Sequence, residues 1–113
     1  MEEAIPVLRV ADAAASVEWY GRLGWVEEWV HRFDPSFPAF VSIARNGVAR
    51  LFLSEHRGDA TPNTLVYVRV DDVDAVATVL GLTVDDQPWA REVSTKDPDG
   101  NRLRIGTPFA TAD

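Results

Sequence analysis

The chain contains no cysteine, which removes disulfides and thiolate metal sites and fits a reducing compartment. It also has no apolar run near the ~20 residues needed to cross a bilayer. Met1-Glu2-Glu3 carries acid where an export signal carries Lys or Arg. A cytoplasmic protein with no membrane partner is expected. Positive charge is scarce: eleven basic residues face eighteen acidic ones, and the formal charge of −7 repels nucleic-acid phosphates. No nucleic-acid partner is expected, and acidity of this kind serves solubility. Nucleophile motifs are missing too, since Ser16, Ser36, Ser42, Ser54 and Ser94 lack a flanking Gly-x-Ser-x-Gly.

What remains is an ordinary globular composition, 46% hydrophobic and 26% charged. Residues 1–113 suffice for a single domain that buries roughly two thirds of its unfolded surface. Periodicity predicts strand Ile5–Val10, helix Asp12–Leu23, and strands Trp25–Arg32, Phe40–Arg45 and Ala49–Ser54. After the turn-rich loop Glu55–Asn63 the order recurs: strand Thr64–Val70, helix Asp72–Leu80, then strands Thr83–Asp86, Arg91–Lys96 and Arg102–Ile105. Two βαβββ repeats are implied, about 4–54 and about 64–107. Arg9-Val10-Ala11-Asp12 aligns with Arg69-Val70-Asp71-Asp72 at an offset of 60, and Leu51-Phe52-Leu53 with Leu103-Arg104-Ile105 at an offset of 52. Asp12 and Asp72 are the expected helix N-caps and Gly24 the left-handed end of the first helix. Asp97-Pro98-Asp99-Gly100 reads as a hairpin turn with no catalytic part.

Strand alternation places Leu8, Val10, Leu51, Leu53, Val66, Val68, Val70, Leu103 and Ile105 under the helices, which bring Val17, Tyr20, Val73 and Val76. The opposite phase carries Ile5, Val7, Arg9, Arg50, Phe52, Ser54, Leu65, Tyr67, Arg69, Arg102 and Arg104. That mixed face is where a ligand would sit. Trp19 and Trp25 read as packing residues, and Trp29 can take either side. His31 and His56 each lack a second imidazole at ligand spacing and read as surface residues.

Ile5-Pro6-Val7-Leu8-Arg9-Val10 with Asp12, Val17-Glu18-Trp19-Tyr20 and Leu23-Gly24-Trp25 resembles the opening motif of the vicinal-oxygen-chelate superfamily. Asp97-Pro98-Asp99-Gly100-Asn101 resembles its closing motif, so the likeness brackets nearly the whole chain. It implies an α+β fold in which two βαβββ repeats form a curved mixed sheet. The superfamily holds glyoxalases, ring-cleaving dioxygenases, fosfomycin-modifying enzymes and drug-binding proteins, so the fold leaves the activity open. In its metalloenzymes His, Glu or Gln hold a divalent ion, and the motifs carry those positions to Ile5, Phe52, Leu65 and Arg104. Hydrocarbon side chains and a guanidinium offer no lone pair, so no metal cofactor and no metal-dependent catalysis are expected.

Asn63-Thr64-Leu65-Val66-Tyr67-Val68 and Gln87-Pro88-Trp89-Ala90-Arg91-Glu92 resemble segments of the bleomycin-resistance branch. That likeness implies a homodimer with N-terminal strand exchange near Pro6 and two grooves at its interface. Phe40, Tyr67 and Trp89 would be the groove aromatics, with Asn63 and Thr64 at the edge, and core packing is the competing role for each ring. A bleomycin-like drug, sequestered without chemistry, is the implied ligand. Two other readings stay open: a divergent enzyme of the same fold, and a binder of an anionic metabolite through the arginine-bearing face and Arg104 in particular. The stretch from Asp72 to Trp89 is short for a resistance protein, which implies a smaller groove.

Overall fold

Apolar alternation and two capped helical stretches give β1 (Val7–Arg9), α1 (Ala13–Gly21), β2 (Trp25–His31), β3 (Phe40–Arg45) and β4 (Ala49–Ser54). The second series is β5 (Leu65–Arg69), α2 (Val73–Leu80), β6 (Asp85–Asp86), β7 (Ala90–Lys96) and β8 (Arg102–Pro108). The computed structural model describes residues 2–109. Each βαβββ repeat makes its own four-stranded mixed sheet, in the orders β1-β4-β3-β2 and β5-β8-β7-β6. The first strand of each lies parallel to the fourth, and the remaining pairs are antiparallel. The fold is the α+β arrangement expected, with its sheet divided into two hydrogen-bonded halves.

The two halves share one register. Val7 pairs with Phe52 and Tyr67 with Arg104; Phe40 pairs with Ser54 and Glu92 with Gly106. These are the offsets of 60 and 52 seen in the sequence. The helix entrances repeat as well. Asp12 and Asp72 lie in extended conformation and accept from the amides of Ala15 and Ala75, so each helix begins one residue later than expected. The next free amides go to the far end of the sheet, Ala13 N–H to Glu55 Oε2 (2.8 Å) and Val73 N–H to Thr107 Oγ1 (2.9 Å).

Several expectations need correction. Gly24 (φ +93°) does not cap α1, which ends at Gly21 with Arg22 still right-handed; it turns the chain into β2, where a Cβ would press on the Arg45 guanidinium at 3.3 Å. The strand expected at Thr83–Asp86 shrinks to Asp85–Asp86, whereas β8 runs past Ile105 to Pro108 because β7 continues to pair with it at Ala90. Ser54 is buried, since the Glu55–Asp59 segment folds back and Asp59 Oδ2 accepts its hydroxyl at 2.6 Å. The expected apolar phase fills the core together with Tyr20, Val73 and Val76, with only Val17 and Val66 part-exposed.

The turn Asp97–Gly100 reaches beyond its own hairpin. Asp97 is buried, and four donors fill its carboxylate: the amides of Asp99 and Asn101 on Oδ1, and Tyr20 Oη and Asn101 Nδ2 on Oδ2, all at 2.9–3.0 Å. Asn101 Nδ2 also donates to the Arg9 carbonyl, and Asp99 accepts from the Ala11 amide. The closing turn of the second repeat is thus bolted to β1 and α1 of the first. Burial, followed by the Asp97 and Asp99 charges, pushes the Tyr20 hydroxyl far above the ordinary phenol range, so it remains a donor.

Tyr20→Phe keeps the ring and deletes one donor to a buried carboxylate, an expected loss of about 1–3 kcal/mol. Asn101→Ala deletes its side-chain bonds to Asp97, Arg9 and Thr64 and should cost more. Urea unfolding followed by tryptophan fluorescence measures both, and equal midpoints for wild type and Asn101→Ala would refute the bolt.

Candidate functional site

The site face of the second repeat follows from register. β5, β8 and β7 place Leu65, Arg102 and Lys96 in one row, Tyr67, Arg104 and Ser94 in the next, and Arg69, Gly106 and Glu92 in a third. Glu92 is the hub. Its Oε2 accepts from Tyr67 Oη (2.8 Å) and Trp89 Nε1 (2.5 Å), and its Oε1 from Arg104 Nη2 (2.6 Å). The Arg104 guanidinium carbon lies 5.7 Å from the Tyr67 ring centroid and 6.0 Å from that of Trp89. Glu92 itself is 4% exposed, while Tyr67 and Trp89 stay 41% and 57% exposed. Two aromatic planes are therefore held in place by a buried carboxylate and presented to solvent.

Gly106 makes this packing possible. A Cβ there would collide with the Tyr67 hydroxyl and crowd Glu92, so the ring of Tyr67 leans over a position that must lack a side chain. The Arg104 bond is the main cause that holds the Glu92 carboxyl below the usual carboxylate range, with the Tyr67 and Trp89 bonds adding to it. Burial, then the Glu92 bond, pushes the Tyr67 hydroxyl up.

The same backbone in the first repeat carries a different surface. Trp29 stacks on Phe40 at 5.9 Å and 22°, and Phe52 packs against both at 5.5 and 5.1 Å. Trp29, Phe40, His31, Phe33, His56 and Asp59 line a hollow of about 390 Å³. A bulge between Glu27 and Trp29 brings Glu28 to this side, where it accepts from Ser42 and both Nε and Nη2 of Arg50. Arg50, chiefly, and then Ser42 lower the Glu28 carboxyl.

Of the residues singled out from sequence, Tyr67, Trp89 and Arg104 come together through Glu92. Phe40 belongs to the other sheet, in the ring cluster with Trp29 and Phe52. Asn63 (φ +66°) and Thr64 stand at the closing turn: Thr64 N–H donates to Asn101 Oδ1, and Asn63 Oδ1 abuts Gly100. Trp25 is buried and Trp19 packs edge-on against Tyr20, as packing residues should. Sequence reading passed over Glu92 and Glu28; a lone acid at Glu92, alternating with Ser94 and Lys96 opposite the arginines, was the available signal. The positions equivalent to the superfamily's metal ligands do not suit an ion, since Ile5 and Leu65 are hydrocarbon, Phe52 is locked among rings and Arg104 is bound to Glu92. Among the described residues no three His, Asp or Glu side chains gather to hold a metal, and no helix is long and apolar enough to cross a membrane.

A family model described as glyoxalase superfamily protein matches residues 1–109. The chain belongs to the glyoxalase superfamily. Among solved structures, this glyoxalase-superfamily chain is similar to TnmS3, an antibiotic binding protein from Streptomyces sp. CB03234, at 24% identity and TM-score 0.80, covering 96% of this chain and 97% of that one. It is similar to a bleomycin-binding protein from Streptomyces verticillus, complexed with copper(II)-bleomycin, at 27% identity and TM-score 0.70, covering 96% and 98%. A glyoxalase/bleomycin resistance protein from Streptomyces sp. CB03234 matches at 25% identity and TM-score 0.75, covering 93% and 99%. The search of curated proteins found no match.

Because Glu92 is more acidic folded than unfolded, its bonds stabilise this superfamily member above the unfolded carboxyl pKa of about 4.3, and that contribution fades as pH falls through the lower folded value. Urea unfolding should show wild type more stable than Glu92→Gln at pH 7 and the gap closing toward pH 3; a constant gap would contradict the charge pairing. Gly106→Ala should displace Tyr67 from Glu92, visible as a lowered phenol pKa in an ultraviolet titration.

Proposed function

We propose that this protein is a bleomycin-resistance-like antibiotic-binding protein, one that sequesters a partly flat small molecule without acting on it chemically. The observation that carries the reading is the pair of exposed rings, Tyr67 and Trp89, fixed by one buried carboxylate and flanked by Arg104. A ring already held in place loses little entropy when a flat ligand stacks on it, and each stack adds roughly 0.5–1.5 kcal/mol beyond area burial. Glu92, the acid at the centre, has each oxygen engaged and is poorly placed to serve as a base or ligand. The similarity to antibiotic- and bleomycin-binding structures supports the same class.

The working unit in this reading is a cytoplasmic homodimer. The ring cluster of Phe40 and the Tyr67–Trp89 pair lie on different sheets, and a second copy can set one opposite the other. β2 supports this, because Val26, Trp29 and Val30 leave apolar surface on both sides of an edge strand, with Phe33 77% exposed beyond it. Pro6 offers its carbonyl to Phe52 N–H, and β1 pairs with β4 of its own chain. Strand exchange would replace that pairing with the same bonds from the partner's β1. Asn63 and Thr64 frame the groove by holding the closing turn.

Isothermal titration with flat aromatic compounds, bleomycin among them, should reveal a ligand that binds at one site per chain and is weakened about tenfold or more by Trp89→Ala. Sedimentation velocity should show a dimer. A folded protein that binds neither bleomycin nor any flat aromatic compound would sink the proposal.

A further inference from the structure

We infer that the ligand of this site is an anion, an aromatic carboxylate or similar acid whose charged group is held by Lys96, Arg102 and the Ser94 hydroxyl while its ring lies on Tyr67. The inference rests on the binding reading above and names its ligand class. Lys96, the one lysine in the chain, pairs directly across from Arg102 on the site face, with Arg104 in the adjoining row. Like charges directly opposite on a sheet repel. Leu65, Ser94, Lys96, Arg102 and Arg104 line one hollow of about 360 Å³, large enough for a bicyclic acid.

The first repeat supplies an internal control. By the shared offset of 52, Arg50 is the counterpart of Arg102 and Ala44 that of Lys96. Arg50 is neutralised by Glu28 at 2.9 Å and Glu3 at 3.1 Å. In the second repeat a further cation replaces Ala44, and among the described residues no carboxylate stands within ion-pair distance of Lys96 or Arg102. The reason is structural: β2 runs seven residues and its bulge delivers Glu28, whereas β6 has two and stops opposite Arg91 and Glu92. The truncation leaves Ser94 and Lys96 at an open edge. Arg69, Lys96, Arg102 and Arg104 thus face Glu92 and Asp85 on a chain that is otherwise strongly acidic, so a local positive hollow survives within a negative field. An arginine beside a lysine and a hydroxyl is a fitting cradle for a planar oxyanion.

Three probes of one shape test this by isothermal titration: 2-naphthoate, its neutral amide 2-naphthamide, and the cation 2-naphthylmethylamine. Naphthoate should bind at least tenfold tighter than the amide, with an advantage that shrinks as salt rises. The Lys96→Gln/Arg102→Gln double variant, folded with an unchanged or higher thermal midpoint, should lose that advantage and keep the amide's affinity. Equal binding of acid and amide, tighter binding of the amine, or an advantage that survives in the double variant overturns the anion and leaves the flat-ligand reading standing. Failure of all three probes overturns it as well, and if bleomycin also fails, the binding reading falls with it.

Discussion

A carboxylate taken out of water is tolerated only when every lone pair finds a donor, and Asp97 meets that demand with groups from both repeats. Two of the donors are amides of its own turn, which hold the hairpin between β7 and β8. Tyr20 belongs to α1, and Asn101 also grips the carbonyl of Arg9 at the end of β1. One charge therefore fixes the hairpin and the seat of that hairpin on the other half of the molecule. The site depends on both, because β8 leaves this turn at Arg102 and side chains alternate from there: Arg102, Arg104 and Gly106 to one face, Leu103 and Ile105 to the core. A slip of one residue would bury the arginines and expose the leucine.

The two repeats show how one backbone supports unlike chemistry. Equivalent positions hold Phe40 and Glu92, Phe52 and Arg104, Val7 and Tyr67, Ser42 and Ser94. The first set packs as an aromatic floor, and the second as a hydrogen-bonded frame that leaves its rings uncovered. Even the helix entrances differ while keeping one geometry, since the Glu55 carboxylate serves α1 and the Thr107 hydroxyl α2. Glu55 Oε1 additionally takes the Ala39 amide, tying the segment before β3 to the helix it faces.

Much of this was legible in the sequence. Leu8, Val10, Leu51, Leu53, Leu103 and Ile105 alternate with a phase that carries Arg9, Arg50, Ser54, Arg102 and Arg104, and a period of two leaves little freedom about which face goes inward. Asp12 and Asp72 announce helix starts because a short carboxylate before a helical stretch has obvious amides to satisfy. Tyr67, Trp89 and Arg104, singled out together from the sequence, do meet in the structure, each bonded to Glu92. Glu28 was hidden because a bulge breaks the alternation: counted strictly, it faces away from Trp29, and the extra residue brings it round. The partnership of Tyr20 with Asp97 spans 77 residues, and Asp97 already had a sufficient local explanation as a turn former. Gly24 misled for a similar reason, since a glycine after a helical stretch reads as its cap although Arg22 and Leu23 separate it from the helix end at Gly21.

In the homodimer proposed above, the contrast between the halves would gain a purpose. An aromatic floor alone gives affinity with little orientation, while a cationic hollow alone is readily satisfied by solvent and salt. A ligand that is flat and charged gains from both only if they converge, yet in one chain each belongs to its own sheet. The exposed apolar strand β2 flanks the floor, and the short β6 leaves the cationic edge uncovered. An arrangement that covers the first and walls in the second would place Trp29 and Phe40 of one copy across from Tyr67 and Trp89 of another. Binding and association would then be linked, because burying the apolar edge assembles the groove and an occupied groove holds the copies together.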